Sequence, residues 1–154
     1  MLFRSTTFRI YLPSQEPSAD KPKESVSEVK DGKETILLAE DYNEVRLLLT
    51  EVLENSGYQV VGAADGEEAI QKFTEMRDEI DLAVLDVMMP KKNGKEVFDA
   101  IRVIKPDIRV LFASGYTGDV ALLDDIQKSD AAFLPKPLKP ETFLIKVREM
   151  LDRT

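Results

Sequence analysis

Five side chains able to carry charge or donate a proton stand at the ends of apolar runs. Glu40 and Asp41 follow TILLA (35–39), Asp86 closes IDLAVLD (80–86), Ser114 closes IRVLFAS (108–114), and Lys136 follows AAFLP (131–135). Asp86 is the least expected of them. It is the only charge in LAVLDVMMP (82–90), and a lone carboxylate in an apolar strand is costly to bury without a partner. If the three acids meet they repel: at an effective dielectric near 20, each pair about 4 Å apart costs roughly 4 kcal/mol. Either their pKa values rise or a cation joins them. A hard divalent ion held by oxygens of Glu40, Asp41 and Asp86 solves the problem, and magnesium suits it because it keeps several waters and needs few protein ligands. Taken singly, these residues have duller readings. Asp41 could cap a helix, Ser114 could be a turn hydroxyl, and Lys136 could be a solvated loop lysine. Those readings do not explain why all five fall at equivalent strand ends.

The elements that must position them follow from hydrophobic periodicity. Apolar runs at TILLAE (35–40), YQVVGA (58–63), 80–86, 108–114 and 131–135 predict five strands. Helices are predicted over 43–57, 65–78, 94–104, 119–129 and 140–151. In the first, Val45, Leu48, Leu49, Val52 and Leu53 recur at helical spacing and Gly57 marks the stop. The last opens on Pro140, a residue well suited to a first helical turn. Alternating strands and helices imply an α/β, doubly wound, five-stranded parallel sheet with right-handed crossovers and helices on both faces. Strands this uniformly apolar are buried on both sides. Such sheets bind ligands at the carboxyl ends of their strands, where the strand order reverses. In a flavodoxin-like 2-1-3-4-5 order, all five residues share that edge.

Bulk properties narrow the field. The chain has 154 residues, enough for one domain with a sizeable core. Its formal charge is −8, and residues 1–34 hold six basic and six acidic side chains, so the whole excess belongs to 35–154. That balance argues against a nucleic-acid partner. No apolar stretch is long enough to span a bilayer, and MLFRSTTFRIYLP lacks a secretory h-region. With no cysteine there is no disulfide framework, which suits a cytoplasmic location. The absence of histidine removes Ser/His and Cys/His nucleophiles and most zinc sites.

LLAED (37–41), LDVMMPKKNG (85–94), FASGY (112–116) and FLPKP (133–137) occur in order and at fitting spacing. Through them, residues 35–154 resemble a response-regulator receiver domain of two-component signalling. The resemblance implies that Asp86 is the phosphoacceptor, and that Glu40, Asp41, Asp86 and the backbone carbonyl of Met88 hold Mg2+. It makes Ser114 the switch hydroxyl, Phe133 the aromatic switch and Lys136 the lysine that contacts the phosphoryl group, with a cis Lys136–Pro137 bond. The implied function is Mg-dependent transfer of a phosphoryl group from a phosphohistidine donor to Asp86. Its partners are then a histidine kinase or a histidine phosphotransfer protein. Val87, Met88 and Met89 are expected to keep water from the acyl phosphate. Phosphorylation is expected to draw Ser114 inward, let Phe133 rotate, and reshape the face of the predicted helix 119–129, the fifth strand and the last helix. That face could also pair two copies of the chain. Gly115 and Pro135 are unusual for the family, and a pseudo-receiver acting as a protein-interaction module is the alternative.

Residues 14–34 are rich in Ser, Pro, Glu and Lys and read as a flexible linker. Ahead of them, STTFRIYLP (5–13) resembles the closing strand of the ATP-binding domain of sensor histidine kinases. That resemblance implies a fragment and linker over 1–34, a receiver domain over 35–154, and a hybrid kinase as parent. Three residues follow Leu151, so output is expected through protein contact. Two other classes fare worse. An aspartyl-phosphate phosphohydrolase needs a second acid where Met88 stands, and a flavin carrier needs a Gly/Ser/Thr-rich loop where Glu40-Asp41-Tyr42-Asn43 stands.

Overall fold

The computed structural model describes residues 32–115, 124, 129 and 131–153. Of the fragment and linker expected over 1–34, residues 1–31 lie outside them, as does nearly all of the predicted helix 119–129. Strands β1 (Thr35–Ala39), β2 (Gln59–Ala63), β3 (Ile80–Asp86), β4 (Arg109–Ser114) and β5 (Ala132–Pro135) alternate with helices α1 (Asn43–Asn55), α2 (Gly66–Glu75) and α3 (Gly94–Ile104). Helix α4 (Pro140–Asp152) comes last. The strands form one parallel sheet in the order β2-β1-β3-β4-β5, as expected.

The period-two pattern of the strands explains the layering. Leu37, Ala39, Ala83 and Leu85 face a core shared with Phe73 of α2 and Val97 and Ile101 of α3. Their neighbours Ile36, Leu38, Leu82 and Val84 face the opposite core, with Leu49 and Leu53 of α1 and Phe143 and Val147 of α4. Both faces are apolar because both are covered.

Helix α1 ends two residues before the Gly57 stop. Ser56 is its C-cap and Gly57 takes a left-handed φ of 86°, a conformation that glycine adopts without steric cost. Helix α2 stops at Glu75, three residues short of the predicted Asp78, with Met76 as its C-cap. Among the described residues, no helix is long and apolar enough to cross a membrane.

Candidate functional site

Parallel pairing brings the strand ends together. Ala39 is opposite Leu85, and Asp86 is opposite Ala113, one residue before Ser114. Ser114 in turn is opposite Pro135, next to Lys136. The register alone therefore places Glu40-Asp41, Asp86, Ser114 and Lys136 on one edge.

Side chains complete the cluster. Glu40, Asp41 and Asp86 each offer a carboxylate oxygen, and these oxygens all lie within 4.8 Å of one another. Glu40 is 1% exposed and Asp86 5%, so water does little to screen them. Lys136 Nζ donates to Glu40 Oε2 and to Asp86 Oδ2, each at 2.7 Å. Asp86 Oδ1 accepts from the Met88 N–H at 3.2 Å, and Glu40 Oε1 from the Tyr42 N–H at 3.3 Å. Burial pushes the Glu40 carboxyl above its ordinary pKa; the Lys136 hydrogen bond pulls it back, and the Asp86 charge adds to the rise. Burial works against the Lys136 ammonium, but hydrogen bonds with Asp86 and Glu40 hold its pKa above the usual lysine value.

None of the acids is a helix cap. The N-cap of α1 is Tyr42, with no side-chain cap bond. The N-cap of α3 is Asn93, which forms a reciprocal capping box with Glu96. Asp41 Oδ1 is buried and lacks a hydrogen-bond partner among the described residues. A buried carboxylate oxygen left unpaired beside two other carboxylates is a donor set of the hard, all-oxygen kind that Mg2+ takes. The residues fit the ion.

The remaining predicted residues are less tightly gathered. Ser114 is 2% exposed, and its hydroxyl donates to the Gly115 carbonyl at 2.9 Å. It meets Lys136 through the backbone, where Lys136 N–H donates to Ser114 O at 2.7 Å. Phe133 is partly buried against the core under α2 and α3. The Lys136–Pro137 bond is cis. Val87 is fully buried and Met89 packs against the core, while Met88 alone turns outward. Successive residues after a strand cannot all face one way, so the three differ in exposure.

Several supporting residues escaped the sequence reading. Arg46 donates to the Glu40 carbonyl at 2.6 Å. Its signal was a cation near the start of a helix, where the macrodipole disfavours one. Lys91 has a φ of 64°, and its amine lies 2.7 Å from Asp65, the N-cap of α2. The loop after Asp86 is thereby pinned to α2. Gly94 lies so close to the phosphoacceptor candidate that an added Cβ would sit 2.3 Å from the Asp86 carbonyl oxygen.

Comparison with known proteins agrees with this geometry. The family described as response regulator receiver domain matches residues 36–148. Sensor kinase CckA of Brucella abortus (strain 2308) is 35% identical over 159 residues, covering 97% of this chain and 17% of the relative. Transcriptional regulatory protein CpxR of Escherichia coli (strain K12) is 38% identical over 120 residues, covering 77% of this chain and 50% of the relative. The chain thus spans half or less of the length of these curated relatives. Among solved structures, a chain of the CheX–CheY–BeF3–Mg2+ complex from Borrelia burgdorferi superposes with a TM-score of 0.71 at 29% identity. It covers 78% of this chain and 90% of that one. Strand order, acidic edge and sequence together place the chain in the response-regulator receiver family.

Proposed function

We propose that Asp86 accepts a phosphoryl group from a phosphohistidine donor in a Mg2+-dependent transfer. The observation that carries this reading is the convergence of Glu40, Asp41 and Asp86 within 4.8 Å beside an amine bonded to two of them. The structural relative from Borrelia, described with Mg2+ and BeF3, supports the same chemistry. An Asp86 carboxylate oxygen forms the new bond to phosphorus as the bond from phosphorus to the donor imidazole nitrogen breaks. The imidazole leaves with the electron pair of that bond and takes a proton from solvent. Glu40, Asp41, Asp86 and the Met88 carbonyl would hold Mg2+, which would supply neutralising charge for the phosphoryl oxygens. Lys136 shifts its donors from the Asp86 carboxylate to those oxygens.

The output follows from the added charge. The Ser114 hydroxyl, now turned to Gly115, exchanges that acceptor for a phosphoryl oxygen, and the half-buried Phe133 moves into the space behind it. The readout surface is the segment 119–129 with β5 and α4. It is read by a histidine kinase, a phosphotransfer protein or a second copy of the chain, in the cytoplasm. Residues 1–34 then belong to the junction with a kinase module. The alignment with the Brucella sensor kinase, which extends beyond the receiver region, supports that assignment.

Incubation with a small-molecule acyl phosphate and Mg2+, followed by intact mass measurement, tests the proposal. One added phosphoryl group is expected, lost in Asp86→Asn and in chelator. No gain in mass would leave the chain a protein-interaction module.

A further inference from the structure

Resting on the metal reading above, one residue outside the acidic cluster governs its shape. Arg46 sits in the second turn of α1, six residues after Glu40. Its Nη1 donates to the Glu40 carbonyl at 2.6 Å and its Nη2 to Asn43 Oδ1 at 2.9 Å. The Glu40 N–H is held as well, by the Ala63 carbonyl at the end of β2 at 3.1 Å. Residue 40 is thus tied on both sides. The peptide joining Glu40 to Asp41 cannot turn without breaking a charge-assisted hydrogen bond. From that fixed unit, Glu40 reaches Lys136 and Asp41 keeps one buried oxygen without a partner among the described residues.

The arrangement has two costs. A guanidinium near a helix start opposes the helix dipole, and it brings a like charge close to a cation site. A purely electrostatic account therefore predicts that Arg46 weakens divalent binding.

We propose the opposite. Arg46 is a positioning residue that, by fixing the Glu40–Asp41 peptide, raises the affinity of the three-carboxylate cluster for a divalent cation. Groups that orient metal ligands typically change affinity 10- to 100-fold when removed.

Isothermal titration of the full chain with MgCl2 tests this, with thermal unfolding in chelator as the check on folding. Arg46→Ala is expected to raise the Mg2+ Kd about ten-fold. Arg46→Lys, which keeps the charge but only one arm of the fork, falls between. Asn43→Ala leaves the charge untouched and removes the second arm, and should weaken binding about two- to three-fold if the fork works as a unit. This variant decides the matter if Arg46→Ala does not fold. An unchanged or tighter Kd in Arg46→Ala or Asn43→Ala, with the wild type binding normally, overturns the positioning role alone. No Mg2+ binding by the wild type overturns the metal reading and this role with it.

Discussion

Lys136 holds two nearly inaccessible carboxylates with a single amine, itself about a quarter exposed. Removing one member of a buried ion pair leaves the other side uncompensated, which costs 3–5 kcal/mol when burial is complete. Here the open side of the amine reduces that. Lys136→Met is expected to lose about 2 kcal/mol in chelator, with saturating Mg2+ narrowing the gap, as measured by urea unfolding. Equal stability of the two proteins would mean that the amine does not balance the acids. Met88, 56% exposed two residues after Asp86, is expected under the proposed transfer to bear on lifetime rather than stability. Met88→Glu or Met88→Asn places a polar group able to orient water beside the acyl phosphate. Dephosphorylation of the variant should accelerate about ten-fold, below the usual range for positioned acid–base groups, in a timed mass-spectrometric assay.

At the scale of elements, the loop from Asp86 to α3 is fixed at both ends. The Gly94 N–H donates to the Val87 carbonyl at 3.0 Å, and the Asn93–Glu96 box closes the start of α3. Asn93→Ala should cost about 1 kcal/mol, the usual penalty for a lost N-cap. Gly94→Ala should cost more and also slow phosphorylation, because its methyl would displace the Asp86 backbone itself. Thermal unfolding with rates of mass gain checks both. The strand-end residues were legible in the sequence because apolar runs locate strand ends and the parallel order aligns them. The loops were not. That Val87 and Met89 turn inward while Met88 turns out depends on the chain path after the strand, which periodicity does not report. The Lys91–Asp65 contact depends on two loops meeting across the sheet edge, which no local pattern encodes, and the Arg46–Glu40 contact depends on the path of the β1–α1 turn, which a misplaced cation hints at without naming its acceptor. Gly57 was a sound stop signal read two residues late, since a glycine of positive φ follows the helix it ends.

The whole molecule is closed at its opposite edge by charge. Arg148 of α4 lies 2.9 Å from Glu34, just before β1, and 2.8 Å from Asp152. The Arg148 hydrogen bond holds the Glu34 carboxyl down to about 2, against an opposing effect of burial. A depressed acid pKa stabilises the fold above the unfolded value near 4.5, and that contribution disappears as pH falls toward 2. Wild type should therefore exceed Glu34→Gln by about 1 kcal/mol at neutral pH, the scale of a partly exposed pair. The difference should vanish in acid denaturation between pH 4.5 and 2. A difference independent of pH would assign the effect to packing.

The bridging amine also sets an electrical tally for the pocket. Three ionised acids and one ammonium leave two negative charges, which a divalent ion cancels and a monovalent ion only halves. Acyl phosphate formation replaces one carboxylate charge with the roughly two of a phosphate group. The filled pocket therefore moves from neutral to about one negative charge in excess. Under the proposed transfer, that surplus, created in a place nearly closed to water, calls for donors already at hand: the Lys136 amine 2.7 Å from Asp86 Oδ2 and the Ser114 hydroxyl at the end of the neighbouring strand.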